Sequence, residues 1–350
     1  MTRYAFPMNL YLSHITAFRL WRAWSAAHPM TLSAFHDASE FGGDVIPSGI
    51  FPTTACLRLC AVRADDIEEL AGPIRPLLAV AADEPLHILV AASQSAHSDE
   101  GVVRHRLATA VPRGAFLRVL PRVYVASPEL VFVQMGALLT FGELLGLGYE
   151  LCGCYPLSSE EQAGWVRCPL STPRRLLSFS RAARGLHGAK RARAVAAEVL
   201  AKSASPMETE LAAAAFTSAR RGGLGLERGL LNYVVPLATS TVRATGCQRA
   251  VGDIVWPGCR KVVEYDGVLS HRDAGQQARD ARKRDALVLE GYESVTVTAS
   301  QFYREEQCVE LLDRVSMSID GRRRRHSEGH RRRHHVLREQ VHRYHQRFLP

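Results

Sequence analysis

No stretch of this 350-residue chain is apolar for long enough to cross a bilayer. The longest near-apolar run, Leu130–Gly142, is bounded by Glu129 and Glu143 and interrupted by Gln134, whereas a spanning helix needs roughly 20 predominantly apolar residues. The first residues lack the basic, apolar, small-residue order of a secretory signal. Eight cysteines in a chain of this size, without secretory features, read as reduced thiols and not as a disulfide framework. The expectation is a cytoplasmic protein that makes no use of a membrane. A hydrophobic fraction of 47% with 23% charged residues excludes a largely disordered or collagen-like chain. The length suggests two domains at about 150 residues each.

Net positive charge is scarce over most of the chain. Of the formal net charge of +9, the segment 321–350 holds +8, from ten arginines set against Glu328 and Glu339. A second basic segment, Ser171–Lys202, carries eight Lys and Arg against Glu198, so what remains of the chain is net acidic. A nucleic-acid contact, if there is one, belongs to discrete segments and not to the whole surface.

Residues 1–160 mix helical and strand periods. Leu12, Ile15, Leu20 and Trp21 follow helical spacing, Leu86–Val90 and Gly114–Val125 read as β-rich, and the segment after Pro128 predicts a mostly buried helix capped by Ser127. Residues 161–204 predict a basic helical connector, with helix from about Ala189 to Lys202. Residues 205–318 predict the order αβββαβα: a helix at Met207–Arg220, strands near Tyr233–Pro236, Gln248–Val255 and Lys261–Asp266, a helix at about Gly275–Glu290, a strand at Ser294–Thr298, and a helix through Val309, Leu312 and Val315. The Arg/His-rich tail, 319–350, has few large apolar residues and is expected to be disordered.

The stretch from Gly252 to His271 is where chemistry concentrates. Two β-branched runs flank Pro257-Gly258, a hairpin signal. With the turn centred between Gly258 and Cys259, Asp253 faces Glu264, and Asp266 shares its face two residues on. Opposed Cβ atoms lie roughly 4.5–5.5 Å apart. Like charges at that spacing repel, and a hard divalent cation such as Mg²⁺ resolves the conflict because it takes oxygen ligands and retains waters. A solvated hairpin face with scattered acids has the same spacing.

The string Ser205-Pro-Met-Glu208-Thr, then Gln248, Asp253, Trp256-Pro257, Glu264-Tyr-Asp266-Gly267 and His271, followed by Asp280, Leu287 and Gly291-Tyr292, resembles the PD-(D/E)xK nuclease superfamily. Within it the string is most similar to the endonuclease-domain family related to very-short-patch-repair (Vsr-like) endonucleases, over about Ser205–Ser318. The resemblance implies a restriction-endonuclease-like core, a four-stranded mixed sheet flanked by helices, acting on DNA with Mg²⁺ or Mn²⁺. It makes Asp253 and Glu264 the metal pair, puts Glu208 on the first core helix, and gives His271 or Asp266 the alignment of the attacking water. Asp266 stands where the superfamily carries lysine; Lys283 and Thr296 stand where relatives often carry arginine. Gln248, Arg282, Lys283, Arg322, Arg323, Arg324 and Arg325 are the candidate nucleic-acid contacts.

The N-terminal part resembles the AbiEi-type antitoxin family on Leu12-Ser-His14-Ile-Thr-Ala17, Pro85–Val90 and Val125-Ala-Ser-Pro128-Glu-Leu. That resemblance implies an α/β domain, a bacterial source and a toxin-type protein partner. With residue 14 so near the start, no winged helix is expected ahead of it. The fold class expected for the whole chain is thus mixed α/β. Two functions follow: a metal-dependent DNA endonuclease in defence or repair, or a noncatalytic, antitoxin-like binding protein that keeps the nuclease fold. Cys152, Cys154 and Cys168 match structural zinc spacing poorly, and Cys56 and Cys60 read as core. His326, His330 and His334 recur every four residues among arginines, a pattern suited to polyanions. Gly222-Gly-Leu-Gly-Leu lacks the Lys-Ser/Thr of a phosphate loop.

Overall fold

The computed structural model describes residues 9–27, 29–31, 64–78, 84–93, 101–155, 165–267, 274–322 and 324–348. His271, Arg323, Cys56 and Cys60 lie outside the described residues. The chain divides into two compact units, one formed by 1–152 with 156–199 and the other by 153–155 with 200–348. Both are mixed α/β. No helix among the described residues is long and apolar enough to cross a membrane.

In the first unit, strands β1 (Leu10–Leu12), β3 (Leu86–Ala91), β4 (Val102–Leu107), β5 (Phe116–Leu120) and β6 (Val123–Ala126) form a sheet in the order β4-β3-β1-β6-β5. Strand β2 (Pro29–Thr31) pairs with β7 (Trp165–Arg167) in a second, two-stranded sheet. Helix α1 (His14–Ala27) follows β1 directly, and α2 spans Ala64–Ala71. The buried helix predicted after Pro128 is α3 (Pro128–Met135). Pro128 opens it, the Ser127 hydroxyl accepts the Leu130 N–H at 3.2 Å, and every one of its residues is buried. Helix α4 (Phe141–Cys152) is buried almost as fully.

Burial of polar groups in this unit is matched by pairing. Glu129 of α3 receives the Ser171 hydroxyl at 2.7 Å and Arg175 Nε at 2.9 Å. Glu150 of α4, with no exposed side-chain surface, is clasped by Arg22 Nε and Nη2 at 2.7 and 2.8 Å. An unpaired buried carboxylate would cost several kcal/mol. Helices α5 (Pro173–Ala182) and α6 (Ala189–Ala196), which lie in the segment expected as a connector, pack on α3 and α4 as part of this unit.

The second unit is built on a four-stranded mixed sheet, β11-β10-β9-β8. Its strands are β8 (Leu230–Val235), β9 (Ala250–Trp256), β10 (Lys261–Asp266) and β11 (Glu293–Thr298). Pairing is antiparallel except between β10 and β11, which run parallel with α9 (Ala274–Leu289) as their crossover. A short helix missed in the sequence, α8 (Thr239–Thr245), packs beside α9. Val255 and Val262 form a core with Ala286 and Leu287 of α9. Ile254 and Val263 belong to the opposite face, where Phe216 of α7 (Pro206–Phe216) meets Trp256 edge-on at 5.8 Å.

Helix α7 ends at Phe216, four residues short of the expected Arg220, because Thr217 and Ser218 leave the helical region, with ψ 139° and 143°. After α10 (Ala299–Tyr303) and α11 (Glu305–Asp320) comes the main correction. The tail expected to be disordered forms a 21-residue helix, α12 (Glu328–Phe348), packed on α7. Its inward stripe is His330, His334, Leu337, Val341, Tyr344 and His345, all buried, with the spacing of one helix face. Half of that stripe is histidine, so hydropathy alone undercounts what it buries. His330 and His334 bond the Gly223 and Gly222 carbonyls at 2.9 and 2.7 Å. A Cβ on Gly222 would lie 2.3 Å from the Arg333 carbonyl oxygen, and Gly222 has φ +102°, so glycine is required for this approach.

Candidate functional site

The β9–β10 hairpin has the register expected from its turn. Lys261 pairs with Trp256, Val262 with Val255 and Val263 with Ile254; one more step along the same register sets Glu264 against Asp253. Glu264 is also directly opposite Thr296 of β11. On the other side Leu231 pairs with Ile254 and Tyr233 with Gly252, which leaves Asn232 abreast of Asp253. Asn232, Asp253, Glu264 and Thr296 thus form one transverse row.

Each carboxyl is held differently. Asp253 Oδ2 accepts the Tyr265 N–H at 2.7 Å. Glu264 Oε2 is 2.8 Å from Lys283 Nζ, contributed by α9. Glu264 Oε1 is buried without a donor among the described residues. Burial, then the Asp253 charge, pushes the Glu264 carboxyl up to about 7 against the pull of Lys283. Burial also raises Asp253, opposed by Lys283 and by the Tyr265 amide. The interaction between the two carboxyls raises Glu264 and lowers Asp253, as expected for two acids that share one site.

Glu208 comes from the first turn of α7, whose Ser205 cap accepts the Glu208 N–H at 3.1 Å. Its side chain turns back: Oε2 accepts the Ala204 N–H at 2.9 Å and Asn232 Nδ2–H at 2.6 Å. Burial and the Asp253 charge lift it to about 8, against those hydrogen bonds. Asp253 thus raises both Glu208 and Glu264. Asp266, half-buried, borders the same cleft of about 450 Å³ with Asp253, Glu264, Gln276, Asp280 and Lys283.

The remaining candidates fall elsewhere. Gln248 is exposed ahead of β9, and exposed Arg282 donates to the Ala278 carbonyl of its own helix at 3.3 Å. Arg324 is engaged with Asp320 at 2.9 Å, while Arg322 and Arg325 are exposed between α11 and α12. None of these borders the carboxylate cleft. Asn232 is the residue that sequence reasoning missed. An asparagine inside Leu-Leu-Asn-Tyr-Val-Val was the available signal, and its backbone at φ 45° shows the special position.

Among the described residues, no three His, Cys, Asp or Glu side chains gather as a ready metal cage. His326, His330 and His334 stack along α12 and its approach, bonded to Asp313, Gly223 and Gly222. No protein-family model, no curated protein and no solved structure matches the chain.

Proposed function

We propose that the second unit is a metal-dependent DNA endonuclease of the PD-(D/E)xK type, similar to the Vsr-like branch, in a bacterial defence or repair setting. The observation that carries this reading is the opposition of Asp253 and Glu264 across the hairpin, at the border of an open cleft, with the buried Glu264 Oε1 lacking a donor. An all-oxygen pair left short of positive charge suits a hard cation. Asp253 and Glu264 would hold Mg²⁺ or Mn²⁺, which when bound supplies Lewis acidity and a nucleophilic water. Glu208, braced by Asn232, stands behind the pair as a protonated acid. Lys283, paired with Glu264 in the free protein, supplies the cation that Asp266 does not and can turn toward a phosphate oxygen.

A second reading, a noncatalytic platform with a toxin-type partner, is favoured by the engagement of Lys283 and by the lack, among the described residues, of a third ligand gathered with the pair. One experiment separates them. Plasmid and single-stranded DNA are incubated with Mg²⁺ or Mn²⁺ and either the parent or Asp253→Asn, alongside thermal melts of both with the ion. The endonuclease reading expects cleavage and an ion-dependent rise in Tm, both lost in the variant. Neither cleavage nor a Tm shift in the parent, with duplex and Ca²⁺ also silent in the melt, gives the platform reading.

A further inference from the structure

The basic segment of the first unit is a built surface. Helices α5 and α6 form a helical hairpin whose inner side is small and apolar: Leu176, Ser180, Ala183, Ala189, Ala192, Val195 and Ala196 are buried. The turn between them is pinned. Gly188, at φ +92°, lies so close to α3 that a Cβ there would be 2.2 Å from the Val133 carbonyl oxygen. Two of the segment's arginines serve as anchors: Arg175 binds buried Glu129 at 2.9 Å, and Arg191 donates to the Gly136 and Leu139 carbonyls at 3.0 and 2.5 Å, capping the end of α3.

The other cations point away from this frame. Arg174, Arg181, Arg184, Lys190 and Arg193 are exposed, and none has a hydrogen-bond or ion-pair partner among the described residues. Glu198 is the one acid between Ser171 and Lys202. Arg174 and Arg181 sit on one helix face seven residues apart, or about 10 Å at a rise of about 1.5 Å per residue. That spans about three base-pair steps of a duplex strand at roughly 3.4 Å each. Five exposed cations on a rigid support cost no folding entropy when they meet a polyanion.

We propose that the outer face of the α5–α6 hairpin is a docking surface for the phosphate backbone of duplex DNA. The inference stands apart from the carboxylate site, which lies on the other unit. Arginine supplies four of the five cations, and its planar fork matches phosphate oxygens in a bidentate way that a lysine cannot. A membrane surface is the less suitable anion. Between Arg174 and Arg193 no large apolar side chain is exposed to insert among lipids, and interfacial helices need such a face. The contact is expected to be insensitive to base sequence, because backbone contacts position a protein without reading base edges.

The test uses full-length protein in EDTA, so that cleavage does not intrude, with a 20-base-pair duplex and a salt series. The fivefold variant Arg174→Gln/Arg181→Gln/Arg184→Gln/Lys190→Gln/Arg193→Gln is expected to flatten the slope of log K against log salt. With about 0.9 lost per phosphate contact, the slope falls by up to about 4.5 units and affinity near 0.1 M salt drops by well over tenfold. The charge-preserving variant Arg174→Lys/Arg181→Lys/Arg184→Lys/Arg193→Lys retains most of the slope, which separates lost charge from lost fold. Arg113→Gln/Arg118→Gln, exposed positions outside the hairpin, leaves it unchanged. The proposal is overturned if the fivefold variant keeps the parental slope, or if the charge-preserving variant loses as much as the glutamine one. It is overturned equally if the hairpin cations prove necessary for binding vesicles of phosphatidylserine but not for binding the duplex.

Discussion

Glu208→Gln should stabilise the second unit at alkaline pH and leave it unchanged at acid pH. The buried Glu208 carboxyl is pushed up to about 8 from an ordinary value of 4.5, so the folded state keeps a proton that the unfolded chain releases. A raised acid contributes stability that is complete below the unfolded value and is lost as pH climbs through the folded one. Each pH unit between the two values is worth 1.36 kcal/mol, which sets an upper bound of about 5 kcal/mol for the loss between pH 4.5 and 8. Part of the elevation is due to Asp253, which the substitution leaves in place, so about 2–4 kcal/mol should be recovered. Glutamine keeps the acceptor oxygen used by the Ala204 and Asn232 donors, so it resembles the protonated acid. Urea denaturation in EDTA, stepped from pH 4.5 to 8.5, gives the curves. Parent and variant losing stability in parallel over that range would refute the argument, because the proton would then reside elsewhere.

The acid limb should have the opposite sign. Burial holds His334 at about 4, below its ordinary value near 6.5, so docking of α12 is at full strength above pH 6.5 and weakens as pH falls toward 4, by up to about 3 kcal/mol. His334→Asn keeps a donor for the Gly222 carbonyl without the titration; amide exchange in α12 should lose its acid sensitivity, and unaltered acid sensitivity would contradict this. Leu337→Ala removes a side chain that is 2% exposed and should cost about 2–5 kcal/mol, whereas a disordered tail would show no change in denaturant midpoint.

The hairpin register was legible in the sequence because two constraints coincide there. A tight turn at Pro257–Cys259 and a two-residue strand period leave few ways to oppose Asp253 and Glu264. The cap at Ser127 was legible for a similar reason, since a hydroxyl before Pro and a run of helix formers is a local signal. What was hidden depends on distant partners. Asn232 acquires its role from Glu208 and from the Lys202 carbonyl, 24 and 30 positions away in sequence. Helix α12 reads as a polar run until the glycine carbonyls opposite its histidines are known. The segment 161–204 reads as a connector because its alanine-rich inner face has little hydropathy to announce burial, although small residues allow close helix approach.

The Pro257–Cys259 turn also orders the assembly of the site in time. Asp253 and Glu264 are eleven residues apart, and closing so short a loop takes on the order of 10–100 ns, with the hairpin itself forming within microseconds. Glu208 and Asn232 reach the pair across 45 and 21 residues, and such separations cost more closure entropy. The two like charges are therefore expected to meet while the rest of the sheet is still open to water, where solvent screens them, with desolvation following when α7 and α9 close over the strands. Repulsion is low at nucleation and high at completion, so the electrostatic burden of the site falls on the unfolding rate more than on the folding rate.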